Sequence, residues 1–201
     1  MRAVEAEFEG RSFDGEDLDG SSFEACRFIG CRFKATRLVE TVFEGCTLTD
    51  CDMSAARMDA AEFRGGLLAQ CRLQNARLIE TVFANARLIE CDLRESSLRD
   101  AKIVGGDFSH SDLSELDLDG MDLRGLRLYS VDLTRTSLVG ADLRDAVLDR
   151  ALLAMARLRN ADLRGASFEG TDLRGVELRG AKLDIAGAIH FARTHGLKIE
   201  A

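Results

Sequence analysis

Residues 160–175 read NADLRGASFEGTDLRG, in which Leu163, Phe168 and Leu173 stand five apart with a small residue two places before each. An α-helix returns side chains to one face every 3.6 residues and a strand every two, so a spacing of five belongs to neither alone. The spacing is not local. Steps of five from Phe8 to Leu183 touch 36 positions, and each is Leu, Phe, Met or Ile. A register unbroken over the whole chain constrains the backbone to one repeating shape.

Within a strand, residues two apart share a side, so each repeat centre (i) and its small partner at i−2 point together while i−1 and i+1 point away. The fifth residue must turn the chain. Glycine stands at i+2 in 14 repeats, where it supplies backbone conformations with positive φ. A short side and a corner, made by one repeat and used four times over, close a square, and stacked squares make a solenoid. The charges agree with this inside and outside. No centre is charged, and among the 36 partner sites only Arg11 and Glu16 are. Both fall in the first coil, where a terminal repeat needs a polar cap. Stacking every fourth repeat also places Phe23, Phe43, Phe63 and Phe83 in one internal column, expected as core packing. The partner column turns bulky at Leu116, Met121, Leu126 and Val131, so one coil must be repacked or widened there.

The chain has 201 residues, room for one sizeable domain. Its six cysteines (Cys26, Cys31, Cys46, Cys51, Cys71 and Cys91) all occupy partner sites, where Ala, Thr, Ser and Gly are the alternatives. They are therefore expected as small buried side chains, with neither disulfides nor metal, since C-x-x-C pairs are lacking. No stretch approaches 18 consecutive apolar residues, and Arg2, Glu5 and Glu7 stand where a secretory segment needs an apolar run. This predicts a soluble, cytoplasmic protein with no membrane partner. A net charge of −8 argues against direct nucleic-acid binding, which calls for a basic face.

Runs such as ADLRD (141–145) and ADLRG (161–165) resemble the pentapeptide-repeat family. The resemblance implies an all-β fold: a right-handed quadrilateral β-helix of about nine coils over residues 1–185, about 40 Å long at about 4.8 Å per coil. Residues 186–201 then form a C-terminal helix and short strand for capping and dimerisation. Asp184 is placed to N-cap a helix over about 185–195, Gly196 to end it, and Leu197 with Ile199 to form the strand.

No nucleotide loop, dinucleotide fingerprint or H-E-x-x-H motif occurs, and His110, His190 and His195 lie apart from any nucleophile. A tube filled by Leu and Phe leaves no small-molecule pocket, so no enzyme activity and no cofactor are expected. Function is sought on the outer faces. Asp122, Asp142 and Asp162 each precede an arginine by two residues, as do Asp92 and Asp172, and read as surface ion pairs. The stretch from 107 to 122 differs: Asp107, Asp112, Glu115, Asp117, Asp119 and Asp122 have no Lys or Arg between them, and Asp132 continues the column of Asp112. This reads as an uncompensated acidic belt, either a partner-binding surface or the repeat's ordinary liking for Asp at i−1.

EFEGRSFDGEDL (7–18), DLRGLRL (122–128), TSLVGADLR (136–144) and AIHFARTHGL (188–197) are similar to the mycobacterial fluoroquinolone-resistance branch of that family. The resemblance implies a homodimer that mimics B-DNA and binds DNA gyrase, a type II topoisomerase, in its DNA saddle. Gyrase inhibition, with protection against quinolones or a natural gyrase poison, would follow. The related plasmid-borne quinolone-resistance (Qnr) proteins carry projecting loops for which this register leaves no room. Dimerisation is expected through Ile185, Ile189, Phe191, Ala192, Leu197 and Ile199. The alternative is a structural or scaffolding protein meeting another partner through outward apolar residues such as Ile79, Val82 and Ile89.

Overall fold

A computed structural model describes residues 1–200, and the chain in it winds as a parallel β-solenoid with four repeats to each coil. On the first face, three-residue strands at Arg2–Val4, Ser22–Glu24, Val42–Glu44, Glu62–Arg64, Val82–Ala84 and Lys102–Val104 pair in order. On the second face Glu7–Glu9, Arg27–Ile29, Thr47–Thr49, Leu67–Ala69 and Arg87–Ile89 do the same. The third and fourth faces pair through single bridges, and beyond Val104 all four do so, as far as Asp162 with Lys182. Five coils thus have two strand-forming faces, and bridges alone carry the stack onward.

Over most of the stack each side holds its neighbours by two backbone bonds. The residue before a centre donates to a carbonyl of the preceding coil (Val42 to Ser21, 2.9 Å), and the centre donates to a carbonyl of the following coil (Met53 to Arg72, 2.7 Å). The turn is equally uniform. Every fifth position from Glu5 to Gly180 has φ between 49° and 77°; 14 are glycine and 22 are not. Position in the square, rather than residue type, imposes the left-handed conformation, and glycine relieves its cost where it occurs.

Centres are buried except near the open ends, where Phe8, Leu178 and Leu183 are half-buried. The aromatic column forms as expected, with Phe23, Phe43, Phe63 and Phe83 stacked at 5.0–5.1 Å between successive centroids. At the N-terminal end the guanidinium of Arg11 lies over the rings of Phe8 (5.5 Å) and Phe13 (4.3 Å), covering apolar surface with a solvated cation. From Cys31 onward the buried polar partners follow one rule: the hydroxyl or thiol donates to the carbonyl of a centre in the coil before. Examples are Thr36 to Phe13 (2.8 Å), Ser111 to Leu88 (2.8 Å) and Cys46 to Phe23 (3.3 Å). All six cysteines are free and buried, and burial pushes the Cys46 thiol up to about 11. A thiol so raised is a poor nucleophile and a poor ligand at neutral pH.

The C-terminal helix runs Ile185–Thr194. Asp184 caps it by accepting from the Gly187 N–H (2.8 Å), while its other oxygen accepts from Gly165 on the coil below (2.8 Å). Gly187 is buried, and a Cβ there would sit 3.0 Å from Leu183 Cδ2. Gly196 at φ 81° ends the helix, with Gly196 donating to Arg193 and Leu197 to Ala192, both at 3.0 Å. The short strand expected at Leu197 and Ile199 is not formed: the chain there is irregular and exposed, with no neighbouring strand to pair with.

Two glycines separate the two uses of positive φ. Adding a Cβ at Gly45 meets nothing within 4 Å, and Ala25 already occupies the equivalent corner at φ 49°. At Gly66, a partner site with φ 77°, the Cβ would overlap the backbone carbonyl of Cys46. Gly45→Ala should change unfolding free energy by no more than about 1 kcal/mol, and Gly66→Ala should cost at least about 2 kcal/mol. Equilibrium denaturation compares them, and equal losses would contradict this account of the corner.

Candidate protein-binding surface

The expected ion-pair lattice is present. Asp92–Arg94, Asp122–Arg124, Asp142–Arg144, Asp162–Arg164 and Asp172–Arg174 each close at 2.6 Å, with a second bond from the arginine Nε. The arginine also spans coils, since Arg124 reaches Asp142 at 3.7 Å. The Arg164 guanidinium holds the Asp162 carboxyl down at about 2, and Arg174 does the same for Asp172.

The acidic belt is not uncompensated, because cations reach it along the axis. Asp107 is paired with Arg127 (3.5 Å), Asp112 with Arg94 (3.3 Å), Glu115 with Arg135 (3.1 Å) and Asp122 with Arg124. Stacking brings Arg94, Arg127 and Arg135 from the coils above and below, and a scan along the chain does not see them; Arg124 is the pair already read within one repeat. Asp117, Asp119 and Asp132 have no ion-pair partner among the described residues. Asp119 accepts instead from the Val139 N–H (2.8 Å) and the Ser137 hydroxyl, and Asp132 from the Thr134 N–H (2.8 Å).

Nor do the seven carboxylates share one face. By register, Asp107 lies on the second face, Asp112, Glu115 and Asp132 on the third, Asp117 and Asp119 on the fourth, and Asp122 on the first. The ladder does unite Asp92, Asp112 and Asp132 in one column on the third face. Arg94 serves the first two of these, leaving Asp132 at the column's end.

That column continues into Leu152, 56% exposed, with Met155 at the following corner 66% exposed. Sequence reasoning misses these two apolar residues, although Leu at a position that is Asp in the three coils before it is a readable signal. Ile79, Val82 and Ile89 are half-buried and fall on the fourth, first and second faces, so they make no common patch.

The residues expected at the dimer contact divide in two. Phe191 packs on the chain's own core, and Ile189 and Ala192 are half-buried. His190 bonds the Thr171 carbonyl at 2.8 Å and stacks on Phe168, so the helix closes the last coil. Ile185 (81%), Leu197 (61%) and Ile199 (42%) remain exposed beyond that closure. No group of His, Cys, Asp and Glu among the described residues is arranged to hold a metal ion, and no helix is long and apolar enough to cross a membrane.

A solenoid with this register and repeat defines a class, and the pentapeptide-repeat model matches in eight copies over residues 26–65, 67–100, 91–128, 127–165 and 151–184. The chain belongs to the pentapeptide-repeat family. Among solved structures it is similar to full-length QnrB1, a plasmid-mediated fluoroquinolone-resistance protein. The TM-score is 0.88 at 22% identity, covering 98% of this chain and all of that one. A trypsin-treated variant of QnrB1 matches with a TM-score of 0.66 at 22% identity over the whole of both chains. At such identity the likeness is one of fold. No curated protein sequence matches the chain.

The lowered Asp162 value fixes a sign. A carboxyl depressed in the folded chain adds stability above its unfolded value, and that stability is lost as pH falls toward about 2. NMR titration should show Asp162 ionised to about pH 2, and Arg164→Ala should move the midpoint up toward 3.8. A midpoint that does not move on losing Arg164 would contradict the pairing.

Proposed function

We propose that this chain is a DNA-mimicking protein that binds DNA gyrase at its DNA-binding surface and inhibits it, with protection from quinolones or a natural poison as a consequence of occupying that surface. The observation that carries the reading is the acidic column on the third face of the rod, with carboxylates stacked one coil apart at Asp92, Asp112 and Asp132. Carboxylates about 4.8 Å apart on a rigid scaffold offer a protein built for phosphates a comparable line of charge. Membership of the family and the likeness to QnrB1 support it.

The reading includes a cytoplasmic homodimer joined end to end through Ile185, Leu197 and Ile199, without cofactor or catalysis. Two rods of about 40 Å span roughly 80 Å, more than about 20 base pairs of B-DNA. The scaffolding alternative keeps one specific support, the exposed Leu152 and Met155. A contact made through those two would be insensitive to salt.

Opposed charges are screened by salt, so gyrase affinity should fall steeply with ionic strength. Because the acidic residues divide between faces, Asp112→Asn with Asp132→Asn and Asp117→Asn with Asp119→Asn test the third and fourth faces separately. One of the two pairs should raise the concentration needed to inhibit supercoiling about tenfold, a cost of about 1.4 kcal/mol. Asp142→Asn should stay near wild type because Arg144 already offsets that charge. If both pairs inhibit like wild type, the carboxylates are not the contact and the scaffolding account gains.

For assembly, Ile185→Asp with Leu197→Asp should convert a dimer to a monomer in light scattering. A dimer that persists places the interface elsewhere.

A further inference from the structure

Between the fifth and sixth coils the ladder is intact on the second face, lacks only the corner bond of Glu95 on the third, and is missing on the other two. On the second and third faces Leu88 donates to Asp107 (2.7 Å), Asp112 to Cys91 (2.8 Å) and Leu93 to Asp112 (2.9 Å). On the fourth and first faces, the amides of Leu98, Asp100, Ile103 and Gly105 have no acceptor among the described residues. One coil further on, their equivalents Leu118, Gly120, Leu123 and Gly125 donate at 2.8–2.9 Å. The bridges that would join Ser97 to Asp117 and Lys102 to Asp122 are likewise missing, although Ser97 bridges Arg77 below and Asp117 bridges Ser137 above.

The side chains account for the break. Leu116 stacks over Ser96 and Met121 over Ala101, so bulky groups lie where the rest of the column has small ones. Corner bonds in this column are at the long end of their range: Met121 to Leu118, Leu126 to Leu123 and Val131 to Leu128 are each 3.3 Å, against 3.0 Å at Ala61 and Ala76, a length also reached at Thr81. The Ser96 hydroxyl, which by the rule for buried partners would bond a carbonyl, has no partner. Two clefts open along this seam, one of about 370 Å³ beside Ser96, Asp117 and Met121, the other of about 450 Å³ beside Ile103, Val104 and Asp122. At its mouth Asp117 and Asp119 have no cation to hold the coils together, and Val104 lies exposed.

We propose that the seam is a hinge. The rod opens and closes between coils five and six on its fourth and first faces, pivoting about the intact bonds of the second and third. Opening turns the C-terminal coils and the helix as one body against the N-terminal five, and so sets the curvature of the rod. A bonded ladder resists such bending between the other coils, because any change of angle stretches several hydrogen bonds at once. The one other gap among the described residues, between Leu152 and Asp172 on the third face, is flanked by bonded faces (Leu148 to Ser167, Leu158 to Glu177, Leu163 to Lys182). The hinge is a property of the chain alone and does not rest on the identity of its partner.

Hydrogen exchange on the full chain tests it. The amides of Leu98, Asp100, Ile103 and Gly105 should exchange about a hundredfold or more faster than those of Leu118, Gly120, Leu123 and Gly125. Equal protection of the two sets would overturn the seam. Motion is then separated from a fixed gap by Ser97→Cys with Asp117→Cys, two exposed positions whose Cα atoms must come within about 4.4–6.8 Å to cross-link. The six native thiols are buried and do not compete. A hinge predicts that the disulfide forms under mild oxidation and slows the four seam amides to the rate of the next coil. Thiols that stay reactive without cross-linking, or a cross-link that leaves those amides fast, would show a fixed gap and overturn the hinge. Slow exchange at Leu88 and Leu93 in the same spectra reports that the variant is folded.

Discussion

The inter-coil backbone ladder is the constraint on which the rest depends. A three-residue strand cannot hold itself, and a single square coil buries its centres only when another square lies on each side. Once the ladder is in place, its register assigns every side chain to a column. The columns decide what stacks: phenylalanine on phenylalanine, a thiol or hydroxyl under a carbonyl, a carboxylate beside a guanidinium. Left-handed backbone at 22 non-glycine corners shows how far the ladder overrides local preference.

Features whose parts lie within one repeat are legible in the sequence. The buried centres, the small partners, the i and i+2 ion pairs, and the Asp184 and Gly196 caps are all readable, because their cause is local. Features whose parts lie one coil apart are read less well. The belt from Asp107 to Asp122 looks bare of cations because Arg94, Arg127 and Arg135 reach it from neighbouring coils. The same stacking scatters its carboxylates over four faces. The bulky column from Leu116 to Val131 is visible in the sequence and predicts a repacked or widened coil. That the change breaks the ladder chiefly on the fourth and first faces is not visible there, since it depends on what lies beneath each bulky residue. The strand at Leu197 fails for a related reason: a strand needs a neighbour, and the chain provides none there.

These features make the molecule a graded rod. Its N-terminal half is stiffened by paired strands and stacked rings, with Arg11 over the open end. Its C-terminal half is held by bridges, laced by Asp–Arg pairs along the first face and closed by a capped helix. Between them lies the seam. The face that gathers stacked acid, through Asp112 and Asp132, is also the face that gives way to Leu152 and Met155, so charge and apolar surface meet in one place. A partner using both would be steered by the first and held by the second.

The claim that this rod takes the place of DNA is tested most directly by competition. Binding of the chain to gyrase can be measured while linear duplex DNA is titrated in. The account predicts that the apparent Kd rises in proportion to DNA concentration, and that no complex containing both forms. An affinity unchanged by saturating DNA, with chain and duplex bound together, would contradict it.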